Sequence, residues 1–308
     1  MAPAGNEKQR LVSLKPVLEL KSKLMAAIND FFIGRGYLEV ETPVLVKTPA
    51  LEIHIDACPA GNDYLRTSPE LHMKRLICAG YERIFQIGAC FRADERGNLH
   101  NPEFTMLEWY RTKADYMDIL SETKDLLRHV SGKCLGKSWF EKDGVRIDLS
   151  AEWLSFSVSE LFEKFAGWNP TAGFDKNRFN TDLVNCVEPR LPKDRPVILL
   201  DYPAEVAALA RLKTGDRRLA ERWELYLGGV EIANAFSELT DTIEQRKRFE
   251  ECAQKRIALG KKAYELDVEF LAALEKGMPD CAGIALGIDR LVMLFAGVDR
   301  LDHVLAFR

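Results

Sequence analysis

The sequence has 308 residues, 47% of them hydrophobic and 29% charged, and its formal net charge is −4 at pH 7. A chain of this length can bury a sizeable core in one large domain or two small ones. It has no excess of basic residues that would indicate nucleic-acid binding, although a local basic face is still allowed. No apolar run is long enough to span a bilayer. The N-terminus lacks the apolar segment that a signal peptide needs. We therefore expect a cytoplasmic protein without membrane contact.

The first ninety residues contain two predicted helices and several strands. Apolar residues recur at helical spacing from Ser13 to about Ile33, and the segment YLEVETPVL that follows alternates like a strand interrupted by Pro43. LEIHI (51–55) predicts another strand. Ser68, Pro69 and Glu70 resemble the start of a helix, with proline in the first turn and an acid at the positive end of the helix dipole.

The rest of the chain alternates hairpins with helices. RIFQIGACF (83–91) and PVILLDYP (196–203) predict strands, and RWELYLGGVEIANAF (222–236) predicts two strands that turn at Gly228 and Gly229. Helices are predicted over 115–130 and 242–259, and GIALGIDRLVMLFAG (283–297) reads as a strand, a glycine turn and a helix. This order favours an α+β fold around an antiparallel sheet and not a Rossmann sheet.

One stretch, FRADERGNLHNPEFTMLEWY (91–110), combines many polar residues with an alternating apolar end. Loops rarely run straight into such a pattern, which is typical of a half-buried strand. We therefore predict a hairpin with buried strands, whose polar residues face a ligand.

Three acids lie seven residues apart, at Glu224, Glu231 and Glu238. A turn at the two glycines can place Glu224 opposite Glu231, and two carboxylates that close repel each other unless a cation such as Mg²⁺ lies between them. Spacing alone favours ordinary solvent-facing acids.

Arg92 and Arg290 each follow a predicted strand. A guanidinium group suits phosphate oxygens, although surface salt bridges would explain both arginines as well. His100 is either a ligand or base, or a hydrogen-bonded loop residue. Taken one at a time, these residues leave both interpretations open.

Taken together, the segments resemble a known family. GYLEVETPVL, FRADERGNLHNPEFTMLEWY and GIALGIDRLVML are similar, in order, to the three signature motifs of class II aminoacyl-tRNA synthetases, and GGVEIANAFSELTD is similar to the lysyl-tRNA synthetase subgroup. The resemblance extends from about residue 13 to the end of the chain. It implies the class II catalytic domain, an antiparallel sheet flanked by helices, and a homodimer formed through the first motif.

The resemblance also assigns roles to individual residues. It implies that Arg92 and Arg290 are catalytic and bind the phosphates of ATP, and that Glu224 and Glu231 bind Mg²⁺. The other nucleotide-binding positions are Ala93, Asp94, His100, Asn101, Phe104 (stacked on adenine), Glu231, Ile232 and Gly287. The implied amino-acid pocket consists of Ser68, Pro69, Glu70, Glu108, Tyr110, Asn234, Glu238 and Ala285, whose acids Glu70, Glu108 and Glu238 can hold a buried ammonium group.

Some positions depart from the family pattern. Ala93 and Asp94 replace the usual Asn-Glu, which leaves open whether Asp94 or Glu95 contacts the nucleotide. Ala285 replaces a glycine of lysyl-tRNA synthetases, and one methyl on a pocket wall can discriminate between substrates by about 1–3 kcal/mol.

The family's anticodon-binding OB domain has no counterpart before the first motif, so we expect one catalytic domain over 1–308, with a family-variable insertion at 132–195. A stand-alone domain of this kind resembles the paralogues that attach a lysine isomer to elongation factor P, and tRNA binding is not expected. The expected activity is therefore ATP-dependent formation of an aminoacyl-adenylate from (R)-β-lysine or lysine, followed by transfer to a protein lysine. The alternatives are a truncated enzyme that charges tRNA or forms lysyl-adenylate, and a non-catalytic regulatory paralogue that binds an amino acid.

Overall fold

The computed structural model describes residues 4–307. Within this range the helices are α1 (Ala4–Ile33), α2 (Glu70–Cys78), α3 (Tyr116–Leu135), α4 (Val158–Ala166), α5 (Lys176–Asp182), α6 (Thr242–Ala258), α7 (Val268–Glu275) and α8 (Ile288–Phe295). None of these helices combines the length and the apolar character needed to cross a membrane.

The strands form one large sheet and two small ones. They are β1 (Leu38–Glu39), β2 (Leu45–Val46), β3 (Pro59–Ala60), β4 (Asp63–Leu65), β5 (Arg83–Phe91), β6 (Glu103–Thr112), β7 (Trp139–Lys142), β8 (Val145–Asp148), β9 (Leu154–Ser157), β10 (Val197–Leu200), β11 (Arg222–Leu227), β12 (Val230–Ser237) and β13 (Cys281–Gly287). The large sheet has the order β1-β5-β6-β13-β12-β11-β10-β9. Its inner strands are antiparallel, and only the outermost pairs, β1–β5 and β9–β10, are parallel. The predicted α+β class is confirmed.

Alternate residues of the sheet face two different environments. Side chains such as Phe85, Leu107 and Ile284 pack with α1, α3 and α8 in the main hydrophobic core. The residues between them point to the opposite face, where α2 and α7 cover one end around Ile84 and Tyr110. Because the period of a strand is two, this alternation leaves one sheet face available for a site.

The 91–110 segment forms the predicted hairpin: β5 pairs with β6 in continuous register, and a loop joins them. The hairpin at Gly228 and Gly229 is also confirmed. The first helix begins at Ala4, nine residues before the predicted start, and YLEVETPVL contributes only the two short strands β1 and β2.

The predicted strand at 51–55 is wrong. This segment has no strand partner, and its carbonyl groups at Glu52, Ile53 and Ile55 accept hydrogen bonds from the guanidinium group of Arg256. A buried carbonyl needs a donor, and here a side chain about 200 residues away supplies it instead of a neighbouring strand.

Residues 132–195 contribute to the large sheet as well as to their own elements. The β7–β8 hairpin is separate, whereas β9 pairs with β10 at the sheet edge. Helices α4 and α5 enclose a small apolar cluster that includes Phe162 and Phe179. That this region is a family-variable insertion stays a prediction.

We predict that Gly228→Ala destabilises the protein. Gly228 has φ +57°, and an added Cβ would lie 2.7 Å from Ile147 Cδ1. We expect the free energy of unfolding to fall by about 1–3 kcal/mol in chemical denaturation. Gly215→Ala is the control: its Cβ would meet nothing within 4 Å, so a change within about 0.5 kcal/mol is expected. Equal effects of the two substitutions would contradict this account of the turn.

Candidate active site

The centre of the candidate site is one row of residues that crosses four neighbouring strands. Glu108 of β6 pairs with Ala285 of β13, which pairs with Asn234 of β12, which in turn pairs with Glu224 of β11. Directly paired residues point to the same face of a sheet. The register therefore brings four predicted site residues together from positions far apart in the sequence.

A β-bulge places Glu231 on the same face. The prediction that Glu231 lies opposite Glu224 is wrong, because Glu224 pairs with Asn234 and Glu231 pairs with Tyr226, with a register shift between them. Glu231 and Asn234 lie three residues apart on β12 and would face opposite sides of a regular strand, but the extra residue of the bulge brings both to the same face. The side chain of Ile232 is 3% exposed and lies in the hydrophobic core, so this predicted nucleotide residue does not face the site through its side chain.

A cavity of about 300 Å³ covers this face. Ten predicted residues line it: Arg92, His100, Asn101, Phe104, Glu224, Glu231, Asn234, Ala285, Gly287 and Arg290. Those that do not line it are Ala93, Asp94, Ile232, Ser68, Pro69, Glu70, Glu108, Tyr110 and Glu238. Glu95 lines the cavity whereas Asp94 is exposed, which favours Glu95 of the two acids.

Arg290 lies in the first turn of α8 and is held on several sides. Its guanidinium group donates to the carbonyls of Leu99 (3.2 Å) and Glu231 (2.8 Å), and Nη2 is 2.8 Å from His100 Nε2. Burial and the charge of Arg290 lower the pKa of His100. His100 is thus kept neutral and can accept a hydrogen bond from Arg290.

Arg92 is held more loosely. Its Cζ lies 5.1 Å from the centre of the Phe104 ring, and its Nη1 is 3.9 Å from Glu95 Oε1. Its buried Nε has no hydrogen-bond partner within the described residues. A buried donor without an acceptor is costly, so Arg92 is the group on this face that most needs an anionic ligand.

Glu224 and Glu231 have different surroundings. Glu224 accepts hydrogen bonds from Tyr202 (2.5 Å), Tyr226 (2.9 Å) and Arg222 (2.7 Å), which fix both of its oxygens. Burial and then the charge of Glu224 raise the pKa of Glu231, against the opposing effect of Arg290. A cation near both carboxylates would relieve this repulsion.

The donor set fits Mg²⁺ bound jointly with a ligand. No group of three or more metal-binding side chains occurs in the described range 4–307. Mg²⁺ is commonly bound by one or two carboxylates, with phosphate oxygens and water supplying the rest. Glu224 and Glu231 provide that partial set.

The predicted ammonium pocket already contains a cation from the chain itself. Lys74 of α2 is buried, and its Nζ lies 2.6 Å from Glu70 Oε1 and 2.5 Å from Glu238 Oε2. Sequence reasoning missed Lys74, although its spacing of four from Glu70 on a helix is typical of an ion pair. Its long-range pairing with Glu238 leaves no local signal.

Glu108 is the third acid and has only neutral donors. Ser68 Oγ donates to Glu108 Oε1 (2.6 Å) and Tyr110 OH donates to Oε2 (3.1 Å). Burial and the neighbouring Glu70 raise the pKa of Glu108 to about 7. Burial also raises the pKa of Glu238 to about 8, although Lys74 opposes it. Lys74 pairs with two of the three carboxylates, so a second ammonium group beside Glu108 would be compensated.

Gly283 lies where β13 crosses this pocket. An added Cβ would overlap the Tyr110 ring and lie 2.6 Å from Glu238 Oε1. Sequence reasoning missed Gly283 as a site residue. A side chain at this position would displace the groups that surround the acids.

The fold and the charged face define a class II synthetase-type catalytic domain. A family model described as "tRNA synthetases class II (D, K and N)" matches residues 8–308, and the chain belongs to this family.

Within this family, the chain is similar along most of its length to several curated proteins that share one name. A protein of Proteus mirabilis is 41% identical over 304 residues, 93% of this chain and 93% of its own length. A protein of Klebsiella pneumoniae is 41% identical over 307 residues, 95% of this chain and 94% of its own, and one of Hamiltonella defensa is 38% identical over 302 residues, 93% of each. All three are named elongation factor P–(R)-β-lysine ligase. The family resemblance drawn from the sequence is thereby confirmed.

We predict that Glu108→Gln changes how stability depends on pH. The folded state raises the pKa of Glu108 from its ordinary 4.5 to about 7, so between these values the folded protein binds more protons than the unfolded chain. This group therefore makes the free energy of unfolding fall as pH rises through that range.

Glutamine cannot ionise, so its free energy of unfolding lacks this pH dependence. In urea denaturation without ligand, the free energy of unfolding of Glu108→Gln minus that of the original protein should be more positive at pH 8 than at pH 5. Glu265→Gln, at an exposed acid, is the control and should show the same difference from the original protein at both pH values. A Glu108→Gln difference that does not vary with pH would contradict the assignment.

Proposed function

We propose that the protein is an ATP-dependent ligase that activates (R)-β-lysine, or lysine, and transfers it to a lysine side chain of elongation factor P. The observation that carries the proposal is that two guanidinium groups suited to phosphate line the cavity, and that the strand pairing leads from Asn234 and Ala285 in that cavity to the buried acid Glu108, near Glu238 and Lys74. The names of the relatives support this choice of amino acid and acceptor.

In the first step, a carboxylate oxygen of the amino acid attacks the α-phosphorus of ATP, and the bond to pyrophosphate breaks. Arg92 holds the α-phosphate and the substrate carboxylate, and Arg290 holds the γ-phosphate. Phe104 stacks on adenine, with His100 and Asn101 beside it. The protein supplies positioning and electrostatic stabilisation and needs no nucleophile of its own.

Glu224 and Glu231 would hold Mg²⁺. The ion, when bound, neutralises charge on the phosphates. The two tyrosines and Arg222 keep Glu224 oriented for that role, while Arg290 links Glu231 to the γ-phosphate side of the site.

In the second step, the ε-amine of the acceptor lysine attacks the carbonyl carbon of the acyl-adenylate. An amide bond forms, AMP leaves, and the amine loses a proton. The substrate's distal ammonium remains beside Glu108 and Glu238. Ala285 lines the cavity and is the strand partner of Glu108. The methyl group of Ala285 is the position that we assign to discrimination between lysine isomers.

We also propose a homodimer formed through the first-motif segment. Leu38 and Leu45 in this segment are 50% and 52% exposed, and Val44 beside them is 38% exposed. Clustered exposed apolar side chains are typical of an interface. Sedimentation should give a molecular mass of two chains, whereas a monomer at micromolar concentration would contradict the dimer.

We predict that Arg92→Ala abolishes amino-acid-dependent exchange of pyrophosphate into ATP. Loss of a group that stabilises charge in the transition state costs about 100-fold or more in rate. Arg246→Ala, at an exposed position on α6, is the control and should keep the original rate. Exchange by Arg92→Ala within a few-fold of the original would contradict its role.

A transfer assay identifies the acceptor. With ATP, Mg²⁺ and (R)-β-lysine, we expect mass spectrometry to detect one added β-lysyl group on purified elongation factor P, and no ester on purified lysine tRNA. Charging of tRNA alone would instead support a truncated synthetase. If neither acceptor is modified and no lysine isomer supports pyrophosphate exchange, the non-catalytic alternative is correct.

A further inference from the structure

Arg92 is positioned mainly through its backbone. Its Nη1 is 3.9 Å from Glu95 Oε1, which is longer than a hydrogen bond, and its buried Nε has no hydrogen-bond partner within residues 4–307. The backbone bonds at this point are shorter: the N–H of Arg92 donates to the carbonyl of Pro102 (2.9 Å), and the N–H of Ala93 donates to the carbonyl of Asp56 (2.7 Å). The place of the guanidinium group therefore depends on the groups that hold this backbone.

The backbone just after Arg92 adopts a conformation that needs support. Asp94 has φ +64°, in the left-handed region that residues other than glycine rarely adopt. Such a conformation costs free energy and persists where the surrounding structure holds it. The bond from Ala93 to Asp56 lies directly before this turn, so Asp56 is well placed to support it.

Asp56 is itself anchored by the last turn of α6 and by the loop that follows. The side chain of Arg256 in that turn is fully buried. It donates to the carbonyls of Glu52 (2.6 Å) and Ile55 (2.9 Å) and to Asp56 Oδ1 (2.5 Å). Lys261 Nζ lies 2.5 Å from Asp56 Oδ2. Because Glu52 and Ile55 line the cavity, this one guanidinium group holds part of the cavity wall from behind.

We propose that Arg256 is a positioning residue for formation of the adenylate. It holds Asp56, whose carbonyl holds the backbone at Ala93 and thereby places Arg92 beside the α-phosphate. Arg256 does not itself line the cavity, so it acts through Arg92 and not on the substrate. This inference rests on the proposed function. It differs from a role in stability alone, because it requires a loss of rate in a variant that is folded.

The first test is Arg256→Lys. Lysine keeps the positive charge but offers three N–H donors instead of the five on the planar fork of arginine, so it cannot keep all of these bonds. We measure amino-acid-dependent pyrophosphate exchange at saturating ATP and (R)-β-lysine, at a temperature where circular dichroism shows each variant folded. The rate should fall about 10- to 100-fold, because a displacement of about 1 Å at the reacting groups can have an effect of this size.

Arg248→Lys is the matched control on the same helix. Arg248 also donates to two backbone carbonyls, those of Ala208 (2.9 Å) and Ala210 (2.8 Å). Neither of these residues lines the cavity. Arg248→Lys should therefore keep the original exchange rate, although it loses hydrogen bonds of the same kind. An original rate in folded Arg256→Lys, or an equal loss in Arg248→Lys, would overturn the inference.

A double substitution separates positioning from an independent structural effect. Arg92→Lys alone should lower the exchange rate about 10- to 100-fold, because the planar fork that suits phosphate is lost. If Arg256 acts through Arg92, the variant with both substitutions should be at most a few-fold slower than the slower single variant. Two independent losses would multiply, and that result would overturn the inference.

Lys261→Met decides the matter if Arg256→Lys does not fold. The Lys261 side chain is 30% exposed, and its removal takes away the other cation bound to Asp56. The exchange rate should fall, and it should fall no further when Arg92→Lys is already present. Lys262→Met, at the exposed neighbouring lysine, is the control and should keep the original rate. An unchanged rate in Lys261→Met would then overturn the inference.

The original protein keeps the two claims distinguishable. If it exchanges pyrophosphate, each of these results bears on Arg256 alone and leaves the proposed function intact. Failure of the original protein to exchange pyrophosphate would count against the proposed function itself and the inference with it.

Discussion

The burial of carboxylates on one face of the large sheet is the constraint on which the site depends. Each buried acid needs a compensating group, because an unpaired buried charge costs several kcal/mol. Lys74 forms ion pairs with Glu70 and Glu238. Glu224 accepts hydrogen bonds from Arg222 and two tyrosines, and Glu108 accepts hydrogen bonds from neutral hydroxyl groups. The compensation is incomplete, because the pKa of Glu108 and that of Glu238 remain raised, and a bound cation would complete it.

The geometry of the sheet arranges these residues in a line. The row Glu108, Ala285, Asn234 and Glu224 crosses four strands, and the bulge in β12 adds Glu231 to the same face. Strands lie about 4.8 Å apart, so a ligand lying along this row can contact Glu108 at one end and Glu224 at the other. In the proposed function, substrate recognition and phosphate binding therefore share one sheet face.

Local sequence patterns predicted the strands and the turn, which depend on interactions between residues close in the sequence. Alternation predicted β5 and β6, and the glycine pair predicted the turn between β11 and β12. The family motifs predicted Arg92 and Arg290 as site residues, and both line the cavity. Contacts between distant residues determined the rest. Arg256 binds the carbonyl groups of 51–55, which do not form a strand, and the bulge shifts the strand partner of Glu224. Lys74 lies among the acids because it pairs with Glu238. Such contacts leave no periodic signal in the sequence.

The central claim is that one sheet face binds a bent nucleotide and a diamine side by side. A crystal structure with the sulfamoyl analogue of β-lysyl-adenylate tests it most directly. The account predicts adenine on Phe104, the sulfamoyl group beside Arg92 and the distal ammonium between Glu108 and Glu238. An acid pocket without the ammonium group, or an Arg92 guanidinium turned away from the sulfamoyl group, would contradict it.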